Sequence, residues 1–123
     1  MANPNIVAVA SIYGKTVFDA DIATSASAIV TNAASSGKIL KINSLIIANI
    51  DGTNAADISA TVRNAAGSTT YSYLAWTVAV PGDATLVLIS KDTSIYLEED
   101  MSIYLASSAA GDLSGTCSYE EIS

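Results

Sequence analysis

The hydrophobic positions of this chain recur mostly with a period of two. Ile58, Ala60 and Val62 alternate with Asp57, Ser59, Thr61 and Arg63, the pattern of a strand with one solvated face. Met101, Ile103 and Leu105 repeat it, as do Leu113, Cys117 and Tyr119 within the run from Leu113 to Ile122. The longest apolar run, Lys38 to Asn54 (KILKINSLIIANIDGTN), is rich in isoleucine and leucine and ends in Asp51-Gly52-Thr53-Asn54. β-Branched residues suit a packed pleated surface and an Asp-Gly pair tolerates positive φ, so this run predicts a central strand closed by a hairpin reversal.

Strict alternation along that strand places Leu40, Ile42, Ile46, Ala48 and Ile50 on one face, the core face. Ile39, Leu45 and Ile47 then share the other face with Lys41, Asn43 and Asn49. A solvated face should be polar throughout. A half-apolar one predicts a cover, either a loop or a neighbouring subunit.

The remaining elements follow from the same reading. Ile6 to Tyr13 and Thr16 to Ile22 predict two strands around a Gly14-Lys15 turn. Ala23 to Asn32 is alanine-rich, which favours helix, but its alternating Ser and Thr favour a half-exposed strand. Thr69 to Val80 is a long aromatic strand, with Tyr71, Tyr73 and Ala75 on one face and Leu74, Trp76, Val78 and Val80 on the other. Trp76, on the aliphatic side, reads as core or subunit contact. Pro81-Gly82-Asp83 predicts a turn with positive φ at Gly82, and Leu86 to Ile89, Ser94 to Leu97, Met101 to Ala106 and Leu113 to Ile122 complete the strands. Ser90-Lys91-Asp92 reads as a turn and Glu98-Glu99-Asp100 as a hairpin tip. Asn3-Pro4-Asn5 cannot continue a central strand, because proline lacks the amide donor, so residues 1–5 read as an extended arm ahead of one domain, 6–123.

About nine short strands and no helix indicate an all-β fold, an antiparallel β-sandwich of jelly-roll type. A Greek-key immunoglobulin-like sandwich is second, because the Cys, Trp, Cys spacing of immunoglobulin domains is missing.

Composition narrows the function. The 123 residues suffice for one core. Half are hydrophobic and only 14% charged, which excludes a disordered chain and leaves a surface suited to packing on other subunits. Five basic against twelve acidic residues give a net charge of −7, so phosphate-backbone attraction is lacking and no nucleic-acid partner is expected. No run approaches the roughly 18 apolar residues of a membrane span, and no signal peptide or membrane partner is expected.

Candidate chemistry is sparse. Without histidine, and with a single cysteine, Cys117, the chain lacks the commonest general base and metal ligand and cannot form an internal disulfide. No base is spaced to activate a serine or threonine, and no glycine pattern cradles a phosphate. Adjacent carboxylates at Glu98, Glu99 and Asp100 do not converge on one ion. Neither catalytic residues nor a cofactor or metal is therefore assigned. Two kinds of binding residue remain. Ile39, Leu45 and Ile47, helped by Pro4 and Asn5 of the arm, are the candidate subunit interface, and Leu45→Lys or Ile47→Lys is expected to stay folded but fail to assemble. Tyr71, Tyr73, Tyr96 and Tyr104 are candidate stacking platforms for host surface glycans.

Over SIYGKT, NAASSGKILKINSLIIANIDGTNAADI, VPGDATLVLISKDTSIYLEED and SSAAGDLSGTCSYEEIS, the chain resembles small virion structural proteins of marine tailed bacteriophages, notably those of cyanobacteria. The resemblance implies a non-enzymatic β-rich subunit present in several copies, a homo-oligomer contacting capsid, neck or tail proteins. Its expected location is the virion, after synthesis in the host cytoplasm.

Overall fold

The computed structural model describes residues 3–123. Nine strands appear in chain order: β1 Ile12–Asp19, β2 Ser27–Asn32, β3 Ile39–Asn49, β4 Ala56–Arg63, β5 Thr70–Val80, β6 Thr85–Ile89, β7 Ile95–Leu97, β8 Met101–Ser107 and β9 Leu113–Ile122. One sheet has the order β1-β9-β3-β6 with β7 also on β3, and the other β2-β8-β4-β5. Both sheets are antiparallel throughout. If β6 and β7 are counted as one interrupted edge strand, this is the two-Greek-key order of a jelly roll.

Sequence-adjacent strands therefore mostly lie in opposite sheets. The predicted hairpin at Asp51 to Asn54 is instead a crossover, since β3 and β4 belong to different sheets. Asp51 builds it with its side chain: Oδ1 accepts from the Thr53 and Asn54 amides at 2.8 and 3.2 Å, an Asx turn rather than a positive-φ reversal. Glu98 to Asp100 likewise joins β7 to β8 across the sandwich. In the Pro81 turn the positive φ falls on Asp83, at 60°, not on Gly82. Gly82 is needed for proximity, because a Cβ there would lie 2.9 Å from the Asp51 carbonyl oxygen.

Two predicted strands at the start are one. β1 runs through Gly14 and pairs with β9 from Ile12↔Ile122 to Asp19↔Gly115, while residues 6–11 stay outside it. Glycine is tolerated there because β1 is an edge strand and nothing lies within 4 Å of a Gly14 Cβ.

The core lies between the sheets and is built from Ile42, Leu45 and Ile47 of β3, Ile58 of β4, Ile103 and Leu105 of β8, and Leu113 and Cys117 of β9, all fully buried. Each large aliphatic side chain contributes about 1.5–3 kcal/mol by leaving water. Two buried asparagines join the sheets at either end of β3. Asn32 Nδ2 donates to the Lys38 and Leu97 carbonyls at 2.9 and 3.0 Å. Asn49 Nδ2 donates to those of Asn54 and Val80 at 2.9 and 2.8 Å. These carbonyls would otherwise be orphaned where the strands end.

Candidate functional site

The interface predicted on β3 is displaced by one residue. Opposite β9 the register jumps between Ile42↔Tyr119 and Ser44↔Ser118, leaving Asn43 as an extra residue. A bulge of this kind inverts the side-chain faces beyond it, because strand periodicity is two. Leu45 and Ile47 therefore join Leu40 and Ile42 in the core and are fully buried, which corrects their assignment as surface. Ile46, Ala48 and Ile50, read as core, point outward; Ile50 is exposed and the other two are half-buried.

Ile39, before the bulge, does face outward, in register with Ile122 and through it with Ile12. Ile39 and Ile122 are buried but stand apart from the core cluster. At this end of the sheet Ser11 and Ser123 exchange backbone hydrogen bonds at 3.0 Å. The predicted arm folds back on its own chain: Asn3 Nδ2 donates to Glu98 Oε1 at 2.7 Å, and Asn3 Oδ1 accepts from the Glu99 amide at 3.4 Å. Pro4 is half-buried, and the exposed Asn5 accepts from the Val7 amide. Met1 and Ala2, the rest of that predicted arm, lie outside the described residues.

An apolar row crosses the middle of the same outer face. Phe18 pairs with Thr116, Thr116 with Ile46, and Ile46 with Val87. Phe18 is 73% and Val87 54% exposed. This face could not be found by strict alternation, since the bulge at Asn43 leaves no hydrophobic signature.

The four tyrosines do not converge. Tyr96, paired with Lys41, lies on the first sheet, whereas Tyr71, Tyr73 and Tyr104 lie on the second. Tyr104 is half-covered. The Arg63 guanidinium sits 4.8 Å from its ring centroid, and Gly67 approaches so closely that a Cβ would overlap the phenol. Arg63 is in turn fixed by donating from Nε to Thr61 Oγ1 at 2.9 Å.

Tyr73 meets a different partner, Trp76, in an edge-to-face contact with centroids 5.1 Å apart and planes at 81°. Both are about three-fifths exposed and line an open depression of about 370 Å³. Alternation puts them on opposite faces; the β4–β5 register shift at Ala60/Thr61, which leaves Leu74 as an extra residue, brings them to one. The signal available in the sequence was the lone tryptophan.

The acidic triplet disperses. Glu98 engages Asn3, Glu99 Oε2 accepts from the Gly37 amide at 3.3 Å, and Asp100 Oδ1 accepts from the Ala65 amide at 3.1 Å. Elsewhere, Glu121 lies between Lys15 and Lys38, at 3.2 and 3.4 Å. Burial raises the Cys117 thiol to a pKa of about 12, which leaves it protonated and inert at neutral pH.

No family model and no curated protein matches this sequence. A solved structure from the disulfide-linked pili that form Bacillus endospore appendages is similar over 92% of this chain and 88% of that one, with a TM-score of 0.52 and 15% identity. At that identity the likeness is one of fold, shared across nearly the whole of both chains.

Proposed function

We propose that this chain is a non-enzymatic structural subunit, used in several copies on a tailed-phage particle and docking through the outer face of its first sheet. The observation that carries the proposal is the outward row in which the exposed Phe18 and Val87 flank the half-buried Ile46, with the exposed Ile50 beside it. Large apolar side chains aligned across a sheet, on a protein with only 14% charged residues, mark a contact surface rather than a solvated one. The sandwich has a precedent in repetitive assemblies, since its structural neighbour belongs to pili. Those pili are disulfide-linked, whereas Cys117 here is fully buried, so copies of this chain associate by non-covalent contact.

The test is incorporation. Phe18→Lys and Val87→Lys are expected to yield folded protein with the native circular dichroism spectrum that is lost from purified particles, as read by mass spectrometry. Normal incorporation of both variants overturns the proposal.

A further inference from the structure

We propose that Tyr73 and Trp76 form a binding site for a neutral carbohydrate, with a pyranose ring stacking on the exposed aromatic surface. The proposal is independent of the assembly reading, which concerns the opposite sheet.

The backbone is distorted to make this site. Between Ile58↔Val78 and Ala60↔Ala75, β5 carries two residues, Trp76 and Thr77, opposite the single Ser59 of β4. Thr77 sits at φ +50°, an outlier for a β-branched residue, and its amide is held by donating to Ser59 Oγ at 3.0 Å. Such strain costs on the order of 1–3 kcal/mol, persists only where the surroundings enforce it, and concentrates at ligand sites. Here it turns an indole out of a strand whose neighbours Ala75 and Val80 are buried. A strand optimised only for stability would keep its one tryptophan in the core.

The surroundings select the class of ligand. An anion is repelled by the net charge of −7. A quaternary ammonium would suit an aromatic corner, but the Arg63 guanidinium is bonded to Thr61, the cross-strand partner of Tyr73. A fixed positive charge one residue pair away opposes a cation. What remains is an uncharged molecule with an apolar face and a rim of hydroxyl groups. The Tyr73 phenol and the Trp76 indole N–H supply polar handles beside the π-surfaces. β5 is an edge strand paired on one side only, by β4, so no strand competes with hydroxyls for its outer backbone groups. The depression, about 370 Å³, is of the size that accommodates small ligands.

Trp76 is the only tryptophan, so its emission reports the site directly. The purified full chain is titrated with neutral gluco-, galacto-, manno- and N-acetylglucosamine oligosaccharides. A saturable change in emission is expected with at least one series. Tyr73→Ala should weaken that binding about tenfold or more at unchanged circular dichroism and thermal midpoint. Thr77→Gly, which keeps both rings and removes the strain, should still bind. The proposal is overturned by any of four results: no saturation up to about 10 mM of any sugar, undiminished affinity in Tyr73→Ala, saturation by tetramethylammonium instead of sugars, or an emission change that follows protein concentration alone and so reports burial by a second copy.

Discussion

Asn49 Nδ2 donates to the Val80 carbonyl at 2.8 Å, joining the end of β3 in one sheet to the end of β5 in the other. The same amide reaches the Asn54 carbonyl, and Asn49 Oδ1 accepts from the Asp51 amide at 2.8 Å. Asn49→Leu leaves both carbonyls and that amide without their partner. Unsatisfied buried groups cost about 1–3 kcal/mol each, so the variant is expected to lose about 2–4 kcal/mol in urea unfolding, with the slope unchanged.

The bulge at Asn43 makes opposite predictions for neighbouring positions. Leu45→Ala should cost about 2–5 kcal/mol through loss of buried contacts and a cavity, and Leu45→Lys should not fold. Phe18→Ala, on the open face, should stay within about 0.5 kcal/mol of the parent. Thermal melts of the three variants separate the two faces. A folded Leu45→Lys would contradict the register described.

That contrast also shows what the sequence could convey. Alternation in Asp57 to Arg63 and Leu113 to Ile122, with the turn residues between runs, is enough for about nine strands and a jelly-roll sandwich. It fails where one residue is inserted into a ladder. Asn43, Leu74 and Thr77 change which side chains face outward without altering composition or periodicity within the flanking segments. Strict alternation consequently places Leu45 and Ile47 on the surface and separates Trp76 from Tyr73. The Asp51 turn was legible as a turn but not as a crossover, because an Asx turn serves both and sheet membership is set by distant strands.

Gly67 and Gly37 both adopt positive φ, at 79° and 69°, but only Gly67 has a neighbour in the way, Tyr104. Gly37→Ala should cost about 1 kcal/mol, the penalty of the left-handed region. Gly67→Ala must in addition displace the tyrosine from beneath Arg63, and is expected to cost about 2–3 kcal/mol. Paired denaturation curves test the difference.

Cys117 should resist alkylation in the native state and react fully in denaturant. Its thiol pKa, raised by burial from 9.0 to about 12, makes the unfolded chain release a proton before the folded one. The associated stability is intact below about pH 9 and declines as pH rises from there towards 12, with a slope approaching 1.4 kcal/mol per unit at about pH 10–11. Burial also raises Tyr119, which acts in the same direction. A Cys117→Ala variant should show a shallower alkaline decline in its unfolding midpoint.

Acid acts through Asp51 and Glu121. Asp51 is held below 3.8 by the Thr53 and Asn54 amides and the Asn54 side chain. Burial alone would raise Glu121, but Lys15 and Lys38 outweigh it and bring it below 4.5. Depressed carboxylates contribute stability above their unfolded pKa and lose it as pH falls through the folded one. Asp51→Asn should therefore flatten the acid limb below about pH 4, read from melting temperature against pH.

The interruptions along the edge strands govern how copies of the chain could add to one another. β5 has three register shifts and β2 one, and the edge beside β3 is split into β6 and β7 by a 3-10 turn at Lys91–Thr93. Among the described residues, β1 alone offers an unbroken edge, eight residues long. Edge-to-edge pairing of two β1 strands is self-complementary and closes as a two-fold pair, with only interrupted edges left over. The irregularities that expose Trp76 thus also restrain runaway cross-β growth, and larger assemblies of this subunit must be built through its faces.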